Sequence, residues 1–400
     1  MSRRATTSAS GPIAGSRQPG APAAAGLPAP LLTGFAIASI GGPVALLSFL
    51  PGAAGQADTS AGLVALLALA VFAVPLAIWV AFSGRIASAG GLSSFVEAAA
   101  GRAAAVVHGW IWALAYFLYL PYTITFVVYD LLPPVFPGVH AYRAALELLL
   151  PAAIVALVFL PVRAVLAGLA LLGLAQVAVL FLLGGIELAH VGSHVASQPT
   201  ADATARGTGS AALLFVCASL PLYFGAELAG GGRAMRRVLV AAVALVGAAF
   251  VVAAIPLGGV PETLRDAAVP GAAIAQAYSG RTLAVVVGLL TAGGTLALVV
   301  AEYLALARLL RWLHGPDLKT LYAWIAVPFL ALDAISLVDP GRFYDDLIRP
   351  SLGALFVSQA VVFLVFPRWR RSGWAVAAAG VAATLAGWGF YTLVAGSAAT

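Results

Sequence analysis

Charge is what this chain has least of. Only 9% of its 400 residues are Asp, Glu, Lys or Arg, while 62% are hydrophobic, and the mean hydropathy is +1.02. A soluble domain cannot expose such a surface, so the composition places the chain in a lipid bilayer. Cysteine is nearly absent: Cys217 stands alone, which excludes an intrachain disulfide framework and leaves helix packing to hold the fold. Lysine is as rare, with Lys319 the sole example. The formal charge of +6 comes from basic residues in short groups between apolar runs. That distribution reads as membrane topology and excludes a phosphate-binding face, so no nucleic-acid partner is expected.

Catalytic patterns are also missing. "HVGSH" sets His190 and His194 four apart without a convincing third ligand, so no metal site is expected. "AGGGR" is glycine-rich, but it follows an apolar span and lacks the Lys-Ser/Thr of a phosphate loop. No nucleophile elbow occurs, and no catalytic residue or cofactor is expected.

What is present is a series of apolar windows long enough to cross a hydrocarbon core. They fall near 31–50, 60–82, 103–131, 143–160, 164–188, 210–229, 237–257, 282–307, 321–338, 346–366 and 373–396, which makes eleven. Residues 1–30, rich in Ala, Pro, Gly and Ser, read as a disordered cytoplasmic tail. With the N-terminus in the cytoplasm, fifteen of the 21 basic residues lie inside, as the positive-inside rule prefers. Eleven crossings then put the C-terminus outside, in a multi-pass protein of the cell membrane. Trp312, Trp324, Trp369 and Trp374 fall near cytoplasmic span ends, where amphipathic rings prefer to lie.

Two spans are interrupted. "ASIGGPVALL" puts Gly41, Gly42 and Pro43 inside span 1, and "LLFVCASLPLYFGAELAGGG" puts Pro221, Gly225 and Glu227 inside span 6. Each break alone also fits a tolerated kink, as Pro75, Pro121, Pro161 and Pro328 show. Placed five spans apart, the two point to an inverted repeat with a ligand bound at the breaks. The repeats would be 31–189 and 210–367, with 373–396 an additional helix. "SGRIASAGGLSSFVEAAAG" after span 2 and "GVPETLRDAAVPGAAIAQAYSG" after span 7 are mixed in polarity, each fitting an interfacial helix, and they fall on opposite faces as an inverted repeat requires.

Residues 88–112 then show Ala89-Gly90-Gly91, a short amphipathic stretch, Gly101 and Gly109-Trp110, while "IGGPVALLSFLPGAAG", "FGAE" and "ARLLRWLHGPD" follow in order elsewhere. Over about residues 31 to 370 the chain resembles the amino acid–polyamine–organocation superfamily of transporters. The resemblance implies an all-α membrane protein of LeuT type, an inverted five-plus-five repeat of helices with one extra span here. It further implies a site between spans 1, 3, 6 and 8, alternating access, and small amino acids, polyamines or related cations as substrates, usually coupled to protons or to exchange.

An amino acid needs N–H donors for its carboxylate and acceptors for its ammonium. Gly41 and Gly42 would let it approach the backbone, with Ser39 adding a hydroxyl. The family's Gly-small-Gly run is Gly41-Gly42-Pro43 here, so the cradle is expected to lose a donor at Pro43. In span 6, Ser219 would line the break and Tyr223 and Phe224 would gate or pack on the ligand. Glu227 reads either as a partner for a substrate ammonium, as a proton carrier, or as an acid stabilising a helix end. Glu302, deep in span 8, is the first candidate for proton coupling or cation recognition, its alternative being a protonated acid hydrogen-bonded within the bundle. Asp333 is a weaker candidate because span 9 is peripheral. Tyr116 and Tyr119 are the span 3 hydroxyls that could reach the ligand, although tyrosines at helical spacing more often pack helix interfaces. Some family members are thought to carry a membrane lysine in span 5; Gln176 is the polar residue there before Glu187, which excludes a lysine-based mechanism. The expected protein is thus a proton-coupled carrier of an amino acid or amine. The rivals are an exporter or exchanger of an amino acid derivative or small metabolite, and an intramembrane enzyme or sensor.

Overall fold

The computed structural model describes residues 26–54, 60–195 and 200–397. Among them are eleven helices long and apolar enough to cross a membrane: Ala29–Pro51, Ala61–Ser83, Arg102–Leu131, Pro137–Val158, Val162–Val191, Ala201–Phe224, Gly231–Gly259, Arg281–His314, Leu318–Ser336, Pro340–Trp369 and Gly373–Ala395. We number them spans 1 to 11, and call the side where span 1 begins the near face.

The count agrees with the hydropathy reading, but several ends do not. Span 6 begins at Ala201, well before the expected 210. Its first turns, "ADATARGT", are too polar for a hydropathy window, yet they are capped by the Thr200 side chain, which accepts from the Ala203 N–H. Span 10 starts at Pro340, not 346, because a charged turn (Arg342, Asp345, Asp346) extends the helix beyond its apolar part. At the N-terminus, span 1 begins at Ala29 and Leu27 already pairs with Leu228, so the ordered chain starts before residue 31; residues 1–25 of the expected tail lie outside the described residues.

The inverted repeat is visible in the backbone. Spans 1 and 6 are both interrupted, and amphipathic helices occupy Leu92–Ala100 after span 2 and Pro270–Ser279 after span 7. Each of these helices ends on a glycine that starts the next span. Gly101 has φ 88°, ψ 170° and Gly280 has φ 83°, ψ −178°. Only glycine holds that region without strain, so the two halves make the same turn with the same residue. The first amphipathic helix is locked to span 3 through His108. Its Nδ1 lies 2.8 Å from the Ser93 hydroxyl and its Nε2 3.1 Å from the Ser358 carbonyl; a carbonyl only accepts, so Nε2 carries the proton and Nδ1 accepts from Ser93.

Span 1 packs on spans 5 and 7, span 3 on spans 8 and 10, and span 8 on both interrupted spans. Span 11 lies outside this core, against spans 2, 6 and 10, with the Trp388 indole donating to Ser210 Oγ at 3.3 Å. On the near face, Arg85 covers Trp369 and Arg102 covers Trp312, with guanidinium-to-centroid distances of 5.3 and 4.0 Å. Basic residues and aromatic rings therefore share one rim, as at a membrane interface.

Candidate substrate site between the interrupted helices

In span 1 the helix stops at Ala38 and resumes at Pro43. Gly41 and Gly42 between them have φ of +65° and +73°, which a side chain rarely tolerates. Pro43 therefore does not kink a continuous helix. It opens the second half, at the position where its missing N–H would have had no intrahelical partner anyway. The first helical bond is Leu46 N–H to Gly42 carbonyl at 3.3 Å, so the N–H groups of Val44 and Ala45 remain as the donors of this terminus. Buried Ser39 donates to the Ala36 carbonyl at 2.9 Å, leaving its oxygen free to accept.

Gly42 is also a point of close approach. A Cβ there would stand 2.9 Å from Gln176 Oε1 and 2.9 Å from the Gly294 Cα. Spans 1, 5 and 8 thus meet at one place, with the Gln176 amide wedged between two glycines. Gln176 is fully buried, and neither its Oε1 nor its Nε2 has a hydrogen-bond partner.

In span 6 the α-helix ends at Leu213, earlier than the expected break at Pro221, and a 3-10 helix runs from Val216 to Phe224. Pro221 favours the change within that segment: in a continued α-helix its ring would clash with the Cys217 carbonyl and leave that carbonyl without a donor. The tighter, more extended 3-10 segment places Cys217 toward Glu302. Its thiol lies 3.8 Å from Glu302 Oε1, and the Tyr116 hydroxyl 4.0 Å from the same sulfur. Trp112 stacks on Tyr116 at 3.8 Å and meets Tyr223 at 4.2 Å between ring centroids. Spans 3, 6 and 8 therefore converge on one carboxyl. Glu302 is 0% exposed, its Oε2 has no partner, and no ion pair to it is found among the described residues. Isolated in this way, a carboxyl is costly to keep charged, so it is held as the neutral acid or met by an arriving cation.

Glu227 lies elsewhere. It follows the 3-10 helix on the near face and binds Arg308 through both carboxylate oxygens, at 2.6 and 3.2 Å. Arg308 is 1% exposed, stacks its guanidinium 3.8 Å over the Phe224 ring and donates to the Leu304 carbonyl at 2.9 Å. The Glu227 backbone is engaged as well: Leu27 N–H donates to its carbonyl at 2.7 Å, and Ala229 N–H donates to the Leu27 carbonyl at 2.9 Å. The segment entering span 1 is thereby strapped to the segment leaving span 6, and the near face is shut.

Of the residues singled out in the sequence, Ser39, Gly41 and Gly42 form the span 1 break and Tyr116, Tyr223 and Glu302 share the central cluster. Ser219 lines the span 6 segment, donating to the Val216 carbonyl at 3.2 Å. Phe224 joins the near-face closure, meeting Phe35 at 4.8 Å. Tyr119 faces Tyr122, 5.1 Å away. Asp333 lies apart, toward the far ends of spans 3 and 4. Cys217, Trp112, Gln176 and Arg308 were not anticipated as site residues. Only Trp112 carried a local signal, standing one helical turn before Tyr116.

No protein-family model and no curated protein sequence matches the chain. Solved structures do match in shape. MhsT in complex with L-phenylalanine superposes with a TM-score of 0.61 at 16% identity, covering 90% of this chain and 97% of that one. A substrate-bound, outward-open Na+-coupled sialic acid symporter gives 0.59 at 13% identity, with 92% and 90% covered. A mutant of the manganese transporter of Eremococcus coleocola gives 0.51 at 12%, with 92% and 87% covered. At these identities the likeness is one of fold, and the paired breaks and matched glycine turns agree with it: the chain is an all-helical protein of LeuT-type fold, with eleven helices fit to span a membrane.

Proposed function

We propose that this protein is a secondary active transporter of a small amino acid or related amine, working by alternating access and coupled to protons, within the amino acid–polyamine–organocation superfamily. The observation that carries the reading is Glu302: a fully buried carboxyl with an unpartnered oxygen, placed where spans 3, 6 and 8 meet, on the same span whose Gly294 meets the span 1 break. The free N–H groups at Val44 and Ala45 suit a substrate carboxylate. Glu302 and the faces of Trp112, Tyr116 and Tyr223 suit an ammonium or an apolar side chain. A protein of the same fold holds L-phenylalanine, which is consistent with this class of ligand.

In the proposed orientation the near face is cytoplasmic, following the distribution of basic residues, and Arg308–Glu227 is the cytoplasmic closure. The partners are the small-molecule substrate, protons and the bilayer of the cell membrane.

A thermal-shift screen of the purified protein against amino acids, amines, sugar acids and divalent metals tests the substrate class. An amino acid or amine at a hundred times its Kd should stabilise the protein by about 2.7 kcal/mol through mass action. A shift produced only by a sugar acid or a metal would contradict the assignment.

A further inference from the structure

A second pair of buried carboxyls lies away from the central site. Glu147 in span 4 and Asp333 in span 9 are each 0% exposed, and the Ser336 hydroxyl links them, lying 2.7 Å from Glu147 Oε1 and 2.7 Å from the Asp333 carbonyl. Glu147 Oε1 accepts from the Thr125 hydroxyl at 2.5 Å and from the Ser336 hydroxyl at 2.7 Å. Its Oε2, and both carboxylate oxygens of Asp333, have no hydrogen-bond partner. Arg143, one turn before Glu147, is the cation nearest along span 4. It is spent on Tyr129, donating to that carbonyl at 3.4 Å and stacking 5.0 Å from the ring. No ion pair joins it to Glu147 or Asp333 among the described residues.

A pocket on the far face comes within one residue of the pair. Thr125 also lines a pocket of about 440 Å³ with Tyr129, Asp130, Tyr344 and Asp345. Asp130 and Asp345 are exposed at that pocket, so its mouth carries negative charge, and Thr125, whose hydroxyl donates to Glu147, is the lining residue that connects it to the pair. Two adjacent carboxylates in a dry interior repel each other and cannot both stay ionised without added positive charge. Two carboxyls and two hydroxyls make an all-oxygen set, the donor type of hard cations. No group of three or more His, Cys, Asp or Glu surrounds it among the described residues, which favours a monovalent occupant over a divalent metal.

We propose that Glu147 and Asp333, with Thr125 and Ser336, form a site for one monovalent cation, a proton or an alkali ion, reached from the far face through the Asp130–Asp345 pocket. The site joins spans 3, 4 and 9, and its occupancy ties the far ends of these helices together independently of Glu302.

The test uses the full chain, purified, with its melting temperature followed while NaCl replaces choline chloride at constant ionic strength, and again as pH is varied in choline. The wild type should show a saturable one-site rise, with sodium if the ion is an alkali cation or with acidification alone if it is a proton. Asp333→Asn should lose that rise, whereas Glu302→Gln should keep it, which separates this site from the central one. The absence of a saturable rise with either ion, or a wild-type rise in Asp333→Asn, would overturn the proposal. If Asp333→Asn does not fold, the Thr125→Val, Ser336→Ala double variant keeps both carboxyls. Its midpoint should move at least about tenfold, since bonds to a charged group are worth more than 1.4 kcal/mol, and an unmoved midpoint would overturn it equally.

Discussion

Replacing Glu302 with glutamine is expected to abolish substrate accumulation driven by a pH gradient while leaving exchange across the membrane intact. Glutamine keeps the length and shape of the side chain and can still face the Cys217 thiol, 3.8 Å away in the wild type, so the surrounding packing is retained. What it cannot do is take up and release a proton. One pH unit is worth about 1.4 kcal/mol per proton moved, so a carrier coupled one to one sustains about tenfold accumulation per unit. Glu302→Gln should bring that ratio to about one. If Glu302 instead serves only to hold a substrate ammonium, exchange would fall together with driven uptake. Proteoliposomes loaded with or without substrate separate the two outcomes, and undiminished accumulation would remove Glu302 from the coupling step.

The second large effect is expected at the near-face closure. Arg308→Ala removes the partner of Glu227, the cation over Phe224 and a bond to the Leu304 carbonyl in one change. Breaking a fully buried pair costs about 3–5 kcal/mol, but the Glu227 side chain is 34% exposed, and water will screen the orphaned carboxylate. A cost of about 1–2 kcal/mol is the appropriate scale. Because the pair bridges the exits of spans 6 and 8, that cost falls on the state in which the near face is shut. The population open to that face should rise about tenfold, in line with 1.4 kcal/mol per factor of ten. Cys217 reports this directly, since it is the only thiol in the chain and is buried beside Glu302. Its modification by a thiol reagent from the near face should speed up by the same factor; an unchanged rate would show that the ion pair does not hold the closure.

Much of the architecture was legible in the amino-acid order, because a bilayer forces it. Hydrocarbon demands long apolar helices, and eleven appear where eleven windows stood. The glycine pair in span 1 was legible for the same reason: Gly41 and Gly42 are costly in a helix unless the helix stops there. The limits of that kind of reading are equally physical. Span 6 starts early because capping and small-residue packing against spans 2 and 11 carry its polar first turns, neither of which a hydropathy sum records. Its α-helix ends at Leu213, two turns before Pro221, whereas Pro75, Pro121 and Pro328 sit inside continuous α-helices, so the position of a proline does not by itself locate a break. Glu227 sits inside an apolar run in the sequence but on the near face in the fold, because the 3-10 segment Val216–Phe224 rises more per residue than an α-helix and carries the chain farther along the span.

Residues whose meaning depends on a distant partner were hidden. Arg308 reads as part of a basic span end and Cys217 as a small apolar residue. Their roles follow only when spans 6 and 8 lie side by side, 81 and 85 residues apart in the chain. The same holds for Glu147, whose partner Ser336 is 189 residues away, and for Gln176, which takes its place only when span 5 is set against Gly42 and Gly294.

Side-resolved labelling of Cys217 in oriented vesicles tests alternating access at this site most directly. A thiol reagent that does not cross the membrane should reach Cys217 from either face, each in a different conformational state, and the transported substrate should protect it from both sides. Arg308→Ala should raise the near-face rate at the expense of the far-face rate. Labelling from one face only, or labelling that a transported substrate leaves untouched, would show that the region between spans 1, 3, 6 and 8 is not where substrate crosses.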